Sequence, residues 1–112
     1  MENELKQMTT DICKKYKIEF EMDQIGGFDP VAFDKECLNN IRNSANKFGY
    51  SHKDIVSGAG HDACWINTVA PSAMIMCPCV DGLSHNEAEE IKPKWASSST
   101  NVMLHAAIAS AT

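Results

Sequence analysis

Between Pro71 and Pro78 the chain reads Ser72-Ala73-Met74-Ile75-Met76-Cys77. A continuous apolar run without polar alternation is the pattern of a strand covered on both faces, as in a parallel sheet enclosed by helices. The flanking prolines bound it, since proline cannot donate to a ladder and biases the residue before it away from helical backbone. The run therefore predicts an α/β fold, a mostly parallel sheet covered by helices.

Upstream of the run, Asp54-Ile55-Val56 is consistent with a short inner strand, and Ser57-Gly58-Ala59-Gly60 is a glycine-rich turn. A short helix over Ala63 to Val69 follows and Pro71 stops it. Asp29-Pro30 is expected to open a helix over Val31 to Phe48, with Leu38, Ile41, Ala45 and Phe48 as its buried stripe. Gly49 stands where a left-handed terminating residue belongs. At the start of the chain, Leu5, Met8, Ile12 and Tyr16 recur at spacings of three and four and predict an amphipathic helix over Glu2 to Tyr16. Lys17 to Ile25 then alternates, with Ile18, Phe20 and Met22 on one side, the pattern of a strand covered on one face. Downstream, Asp81 to His85 is a loop and Glu87 to Ile91 a turn. Pro93 is expected to interrupt the chain before a final alanine-rich helix over Asn101 to Ala111.

Length and charge narrow the functional classes. The 112 residues suffice for one modest core and not for a second complete domain of ordinary size. Fifteen acidic against ten basic residues give a net charge of -5, a repulsive field for a phosphate backbone, so nucleic acid is not expected as a partner. No apolar stretch reaches the roughly 18 residues of a membrane span, and Met1 to Thr10 lacks the apolar stretch of a signal peptide. A cytoplasmic protein is expected. Cys13, Cys37, Cys64, Cys77 and Cys79 are an odd set with no Cys-x-x-Cys pair, which favours free thiols over a disulfide framework. Met8, Met22, Met74, Met76 and Met103 stand at core-type positions, and Trp65 and Trp95 are expected to be buried or half-buried. His52 is expected in a solvated loop and His105 as a surface or packing group.

Two clusters carry candidate chemistry. One is Ser57-Gly58-Ala59-Gly60-His61-Asp62 and the other Gly82-Leu83-Ser84-His85-Asn86-Glu87-Ala88-Glu89. Each places a histidine in a loop at the expected end of a strand, where ligands bind in open α/β sheets, with a carboxylate within four residues. Imidazole is the commonest metal ligand and also a general acid or base, so the residues alone leave a metal site and an acid and base site both open.

These strings, with Pro71-Ser72-Ala73-Met74-Ile75 between them, resemble the C-terminal part of the amidohydrolase branch of the two-metal exopeptidases. That branch includes the N-carbamoyl-L-amino acid hydrolases, allantoate amidohydrolases and β-ureidopropionases. The resemblance implies a partial three-layer zinc-exopeptidase-like catalytic domain over residues 26–112. Residues 1–25 are similar in layout to the last helix and strand of the family's lid and dimerisation domain. It further implies that His85 is a metal ligand, that Gly58, Ala59, Gly60 and His61 line the substrate, and that Asp62, Ser84 and Glu89 stand behind them. Two divalent ions, zinc or manganese, are implied, with a small carbamoyl or ureido compound as substrate and a homo-oligomeric assembly.

The chain also departs from the family pattern. It lacks the family's upstream His-x-Asp, its Glu-Glu pair, its mid-chain histidine and the lid's carboxylate-binding asparagine and arginine, and Glu87 replaces a small residue or proline. With one of the expected ligands present, the segment alone is expected to be inactive. A non-catalytic α/β binding module of the same descent is the alternative, and a thiol redox protein built on Cys77-Pro78-Cys79 is a third.

Overall fold

The computed structural model describes residues 1–27 and 29–111, which form four α-helices and a short 3-10 turn, Val80–Gly82. They fall into two compact units, Met1–Pro30 and Val31–Thr112.

In the first unit, α1 spans Glu2–Tyr16, the range the apolar spacing predicts. Glu2 and Glu4 in its first turn and Lys14 and Lys15 in its last complement the helix dipole. On its surface Lys6 Nζ reaches Glu2 Oε1 at 2.7 Å, an exposed pair that contributes only a few tenths of a kcal/mol. The helix ends in two backward bonds, Ile18 N–H to the Cys13 carbonyl at 2.9 Å and Lys17 N–H to the Lys14 carbonyl at 3.2 Å. That pair is a Schellman closure, and it holds Lys17 left-handed at φ 54. No residue of α1 is buried.

The second unit is organised by two helices, α2 (Lys35–Lys47) and the last helix of the chain, Pro93–Ser110. Helix α2 begins later than Asp29-Pro30 suggests. Its cap is Asp34, whose Oδ1 accepts the Cys37 N–H at 2.9 Å. A helix starts where a side-chain oxygen can reach the amide three residues on, and Asp34 meets that condition. It ends as expected at Gly49, left-handed at φ 68, with the Tyr50 N–H donating to the Ala45 carbonyl at 3.0 Å.

A five-residue helix, α3 (Asp62–Ile66), stands near the expected 63–69 element and runs on into hydrogen-bonded turns through Ala70. The final helix, α4 (Pro93–Ser110), is eight residues longer at its start than the sequence suggests. Pro93 initiates it, because the first helical amide needs no partner. The polar run from Ser97 to Thr100 is absorbed into the helix, where Ser98 Oγ donates to the Lys94 carbonyl at 2.8 Å.

Helices α2 and α4 pack antiparallel. Asn40 midway along α2 donates from Nδ2 to Ser110 Oγ at the end of α4, 2.9 Å. Phe48 at the end of α2 meets the His105 ring at 4.6 Å, and Tyr50 Oη accepts from Asn101 Nδ2 at 3.3 Å, further back along α4. The centre of the contact is made of small side chains: Ala45, Val102, Ala106 and Ser44 are the buried residues among those described, and their size lets the two backbones approach. His105 is thus a packing histidine and His52 an exposed loop residue.

Around this pair the connecting chain is tied by polar bonds. Asn67 donates from Nδ2 to the Ala32 carbonyl at 3.1 Å and accepts the Ser72 N–H on Oδ1 at 3.2 Å, while the Asp34 N–H reaches the Ser72 carbonyl at 3.0 Å. Arg42 on α2 grips Asp54 with two bonds, 3.1 and 2.7 Å.

Three expected strands, Lys17 to Ile25, Asp54 to Val56 and Ser72 to Cys77, are not strands: among the described residues the architecture is helical. A strand exists only through a neighbour about 4.8 Å away that completes its ladder, and no such neighbour is present among these residues. The same lack of a covering layer explains the exposure of side chains expected in a core. Met8, Met76, Met103 and Trp65 are exposed, as are Ile55 and Val56, whereas Met74 and Trp95 are half-buried.

Candidate functional site

The 79–90 loop begins at the end of the apolar run. Its neck is closed by the Val80 N–H donating to the Glu90 carbonyl at 2.8 Å. Asp81 and Gly82 turn left-handed at φ 54 and 68, and His85 does so at φ 56. For a residue carrying a Cβ that conformation costs on the order of 1 kcal/mol, so something must hold it. The holder is Glu89, whose Oε2 accepts the His85 N–H at 2.9 Å. Glu89 is itself brought back by a turn on Asn86, whose carbonyl accepts the Glu89 N–H and whose Oδ1 accepts the Ala88 N–H, both at 2.9 Å.

The other carboxylate oxygen, Oε1, lies 3.7 Å from Cys79 Sγ. Partial burial pushes the Cys79 thiol up, and the charge and hydrogen bond of Glu89, then Cys77, add to it. A raised thiol is less reactive as a nucleophile at neutral pH. All five cysteines are free and half-buried.

The second candidate loop is knotted on itself. Ser57 Oγ and His61 Nε2 are 2.6 Å apart, and the Ala59 N–H donates to the same hydroxyl oxygen at 3.2 Å. The hydroxyl can donate to the imidazole or accept from it on its second lone pair, and in either tautomer the bond orients the His61 ring. Gly58 and Gly60 flank this knot and are exposed. A Cβ at Gly58 would meet no heavy atom within 4 Å, so packing does not require the glycine. Asp62 is exposed in the first turn of α3, and Ser84 is exposed beside His85.

The structure therefore gathers the sequence candidates into two separate groups, Ser57 with Ala59 and His61, and Cys79 with His85 and Glu89. Among the described residues no hydrogen bond or ion pair joins them. Nor do three or more His, Cys, Asp or Glu side chains converge on a point where one ion could be held. Among the described residues, no group that could by itself hold an ion is assembled. Cys79 was missed as a partner of the histidine loop; its signal was its place at the foot of the apolar run, ten residues before Glu89.

A family model described as peptidase family M20/M25/M40 matches residues 2–109. Over 100 residues the chain is 51% identical to the N-carbamoyl-L-amino-acid amidohydrolase of Rhizobium meliloti, a match that covers 89% of this chain and 24% of that protein. The allantoate amidohydrolase of Escherichia coli K12 is 32% identical over 78 residues, covering 70% of this chain and 19% of the relative. Among solved structures, an amidase of the hydantoinase/carbamoylase family from Burkholderia vietnamiensis superposes with a TM-score of 0.90 at 45% identity, over 94% of this chain and 25% of that one. The chain thus spans about a fifth to a quarter of the length of these proteins. Since the match runs over nearly all of its residues and over both loops described above, this chain belongs to the peptidase family M20/M25/M40.

Proposed function

We propose that the chain is the C-terminal segment of a metal-dependent amidohydrolase that cleaves the C–N bond of a carbamoyl or amide group in an N-carbamoyl amino acid or a ureido acid. The observation that carries this reading is the 51% identity to an N-carbamoyl-L-amino-acid amidohydrolase, across a stretch that includes both histidine loops. In this reading His85 supplies one ligand to a centre of two zinc or manganese ions, and the other ligands come from the rest of the enzyme. The ions would activate the attacking water. Residues 58–61 form part of the substrate wall. Because the Ala59 N–H is already engaged by Ser57, the N–H groups of Gly58 and Gly60 are the loop's donors to a substrate oxygen.

Residues 1–25 would close a lid domain and residues 26–112 a layered α/β catalytic domain. There Asp54 to Val56 and Ser72 to Cys77 would find the strand neighbours they lack here. The whole enzyme would act in the cytoplasm on a small molecule, as a homo-oligomer. The segment alone would not turn over substrate, having one ligand of the set.

The test is a chimera in which this chain replaces the matching quarter of the Rhizobium meliloti relative, assayed on N-carbamoyl-L-amino acids with added zinc or manganese. Activity that falls by about a hundredfold or more in the His85→Ala chimera, and not in the His52→Ala chimera, is expected, in line with loss of a metal ligand. A chimera with a native-like melt and no hydrolysis would overturn the proposal in favour of a non-catalytic module of the same descent.

A further inference from the structure

We propose that Glu89 is a positioning residue for His85: one carboxylate oxygen fixes the left-handed backbone of the histidine and the other anchors it to Cys79 at the foot of the loop. The inference rests on the reading of His85 as the functional group of this loop. Residues 81–90 are all exposed, with Leu83, the large apolar side chain among them, at 38%, so burial contributes little to holding the loop. Much of its shape comes from its own polar bonds: turns at Val80–Leu83 and on Asn86, and two longer closures made by neighbouring residues, Glu89 and Glu90. Glu90 closes the neck through its carbonyl to the Val80 N–H at 2.8 Å. Glu89 closes the interior, with Oε2 on the His85 N–H at 2.9 Å and Oε1 at 3.7 Å from Cys79 Sγ.

The turn on Asn86 explains why position 89, and not 87 or 90, does this. By accepting the Glu89 and Ala88 amides it folds the chain back, so that the Glu89 side chain faces the histidine four residues earlier. A left-handed non-glycine residue relaxes toward ordinary helical or extended backbone unless its neighbours prevent it. That relaxation would change the direction in which the imidazole leaves the loop. A metal ligand or an acid and base group depends on that direction, so a carboxylate that never touches substrate would still control the chemistry.

The experiment is nuclear magnetic resonance on the full ¹⁵N-labelled chain, reading amide exchange at His85 and its HN–Hα coupling, with a thermal melt on each variant. Glu89→Ala is expected to speed His85 exchange about tenfold and to move the coupling, as loss of a charge-assisted bond to that amide would. Glu89→Gln keeps an acceptor oxygen and is expected to stay within about threefold of the parent. Glu87→Ala is expected to leave both readouts unchanged.

Exchange and coupling at His85 that do not move in Glu89→Ala would overturn the proposal, as would equal losses in the Ala and Gln variants. Should Glu89→Ala unfold the chain, the Gln variant decides: a retained His85 coupling supports the positioning role and a lost one sinks it. Because nothing here depends on hydrolysis, an inactive chimera with an intact Glu89 effect would count against the proposed function alone.

Discussion

Helices α1 and α2 are built to the same plan. Each carries an apolar stripe at spacings of three and four, and each ends in the same pair of backward hydrogen bonds around a left-handed residue. They differ in what covers the stripe. Ala45 of α2 is 3% exposed beneath α4, while Ile12 of α1 is 52% exposed. Periodicity specifies a face, and only a partner makes that face a core.

The comparison breaks most visibly if a charge is placed on each face. Ala106→Asp should destabilise the second unit by about 3 kcal/mol in a urea melt, or unfold it, because the carboxylate would be trapped between α2 and α4. Ile12→Asp should change stability by under about 0.5 kcal/mol, and a comparable loss there would mean that α1 is covered in solution. Truncation gives the same contrast at lower amplitude: Val102→Ala is expected to cost about 2 kcal/mol and Ile12→Ala about 0.5.

The caps sharpen it further. Gly49→Ala forces a Cβ into a left-handed position and should cost about 1 kcal/mol, whereas Lys17→Gly relieves the same strain in α1 and should raise helicity by circular dichroism. A smaller effect is expected on acidification. The Cys37 amide at the head of α2 holds the Asp34 carboxyl below its usual value, and Arg42 does the same for Asp54. A depressed carboxyl contributes stability that is present above the unfolded value near 3.9 and disappears as pH falls through the folded one. The acid limb of the melting curve should therefore flatten in an Asp34→Asn, Asp54→Asn double variant. Smallest of all in stability is Gly58→Ala, expected to be neutral in the melt yet to lower substrate affinity in the chimera if the loop lines the substrate.

The comparison also explains what was legible in the sequence. Helix α1 and the Gly49 stop follow from local chemistry, and of the expected stripe of α2 Ala45 is buried against α4 while Leu38, Ile41 and Phe48 are half-buried. The start of α2 was misplaced because Asp-Pro at 29–30 and Asp34 carry similar signals, and only the bond to Cys37 separates them. Pro93 and the serines after it look like breakers in isolation, yet a proline at the first turn and serines bonding back to a carbonyl are both compatible with a helix. The strands were least legible, because an apolar run such as Ser72 to Cys77 encodes a demand for neighbours without containing them. At the site, sequence picked out His61, His85 and Glu89, since glycine and turn residues surround them. It could not show that Ser57 would hold His61, or that the Glu89 carboxylate would reach back to Cys79.

Asn67 carries a consequence on the timescale of chemical ageing. Its amide uses both ends, the nitrogen toward the Ala32 carbonyl and the oxygen toward the Ser72 amide. Deamidation would turn that nitrogen into a carboxylate oxygen and set two acceptors face to face. The junction that brings the start of the second unit against the apolar run would then repel itself, and a change of roughly one mass unit would loosen a unit with three buried apolar side chains among the described residues.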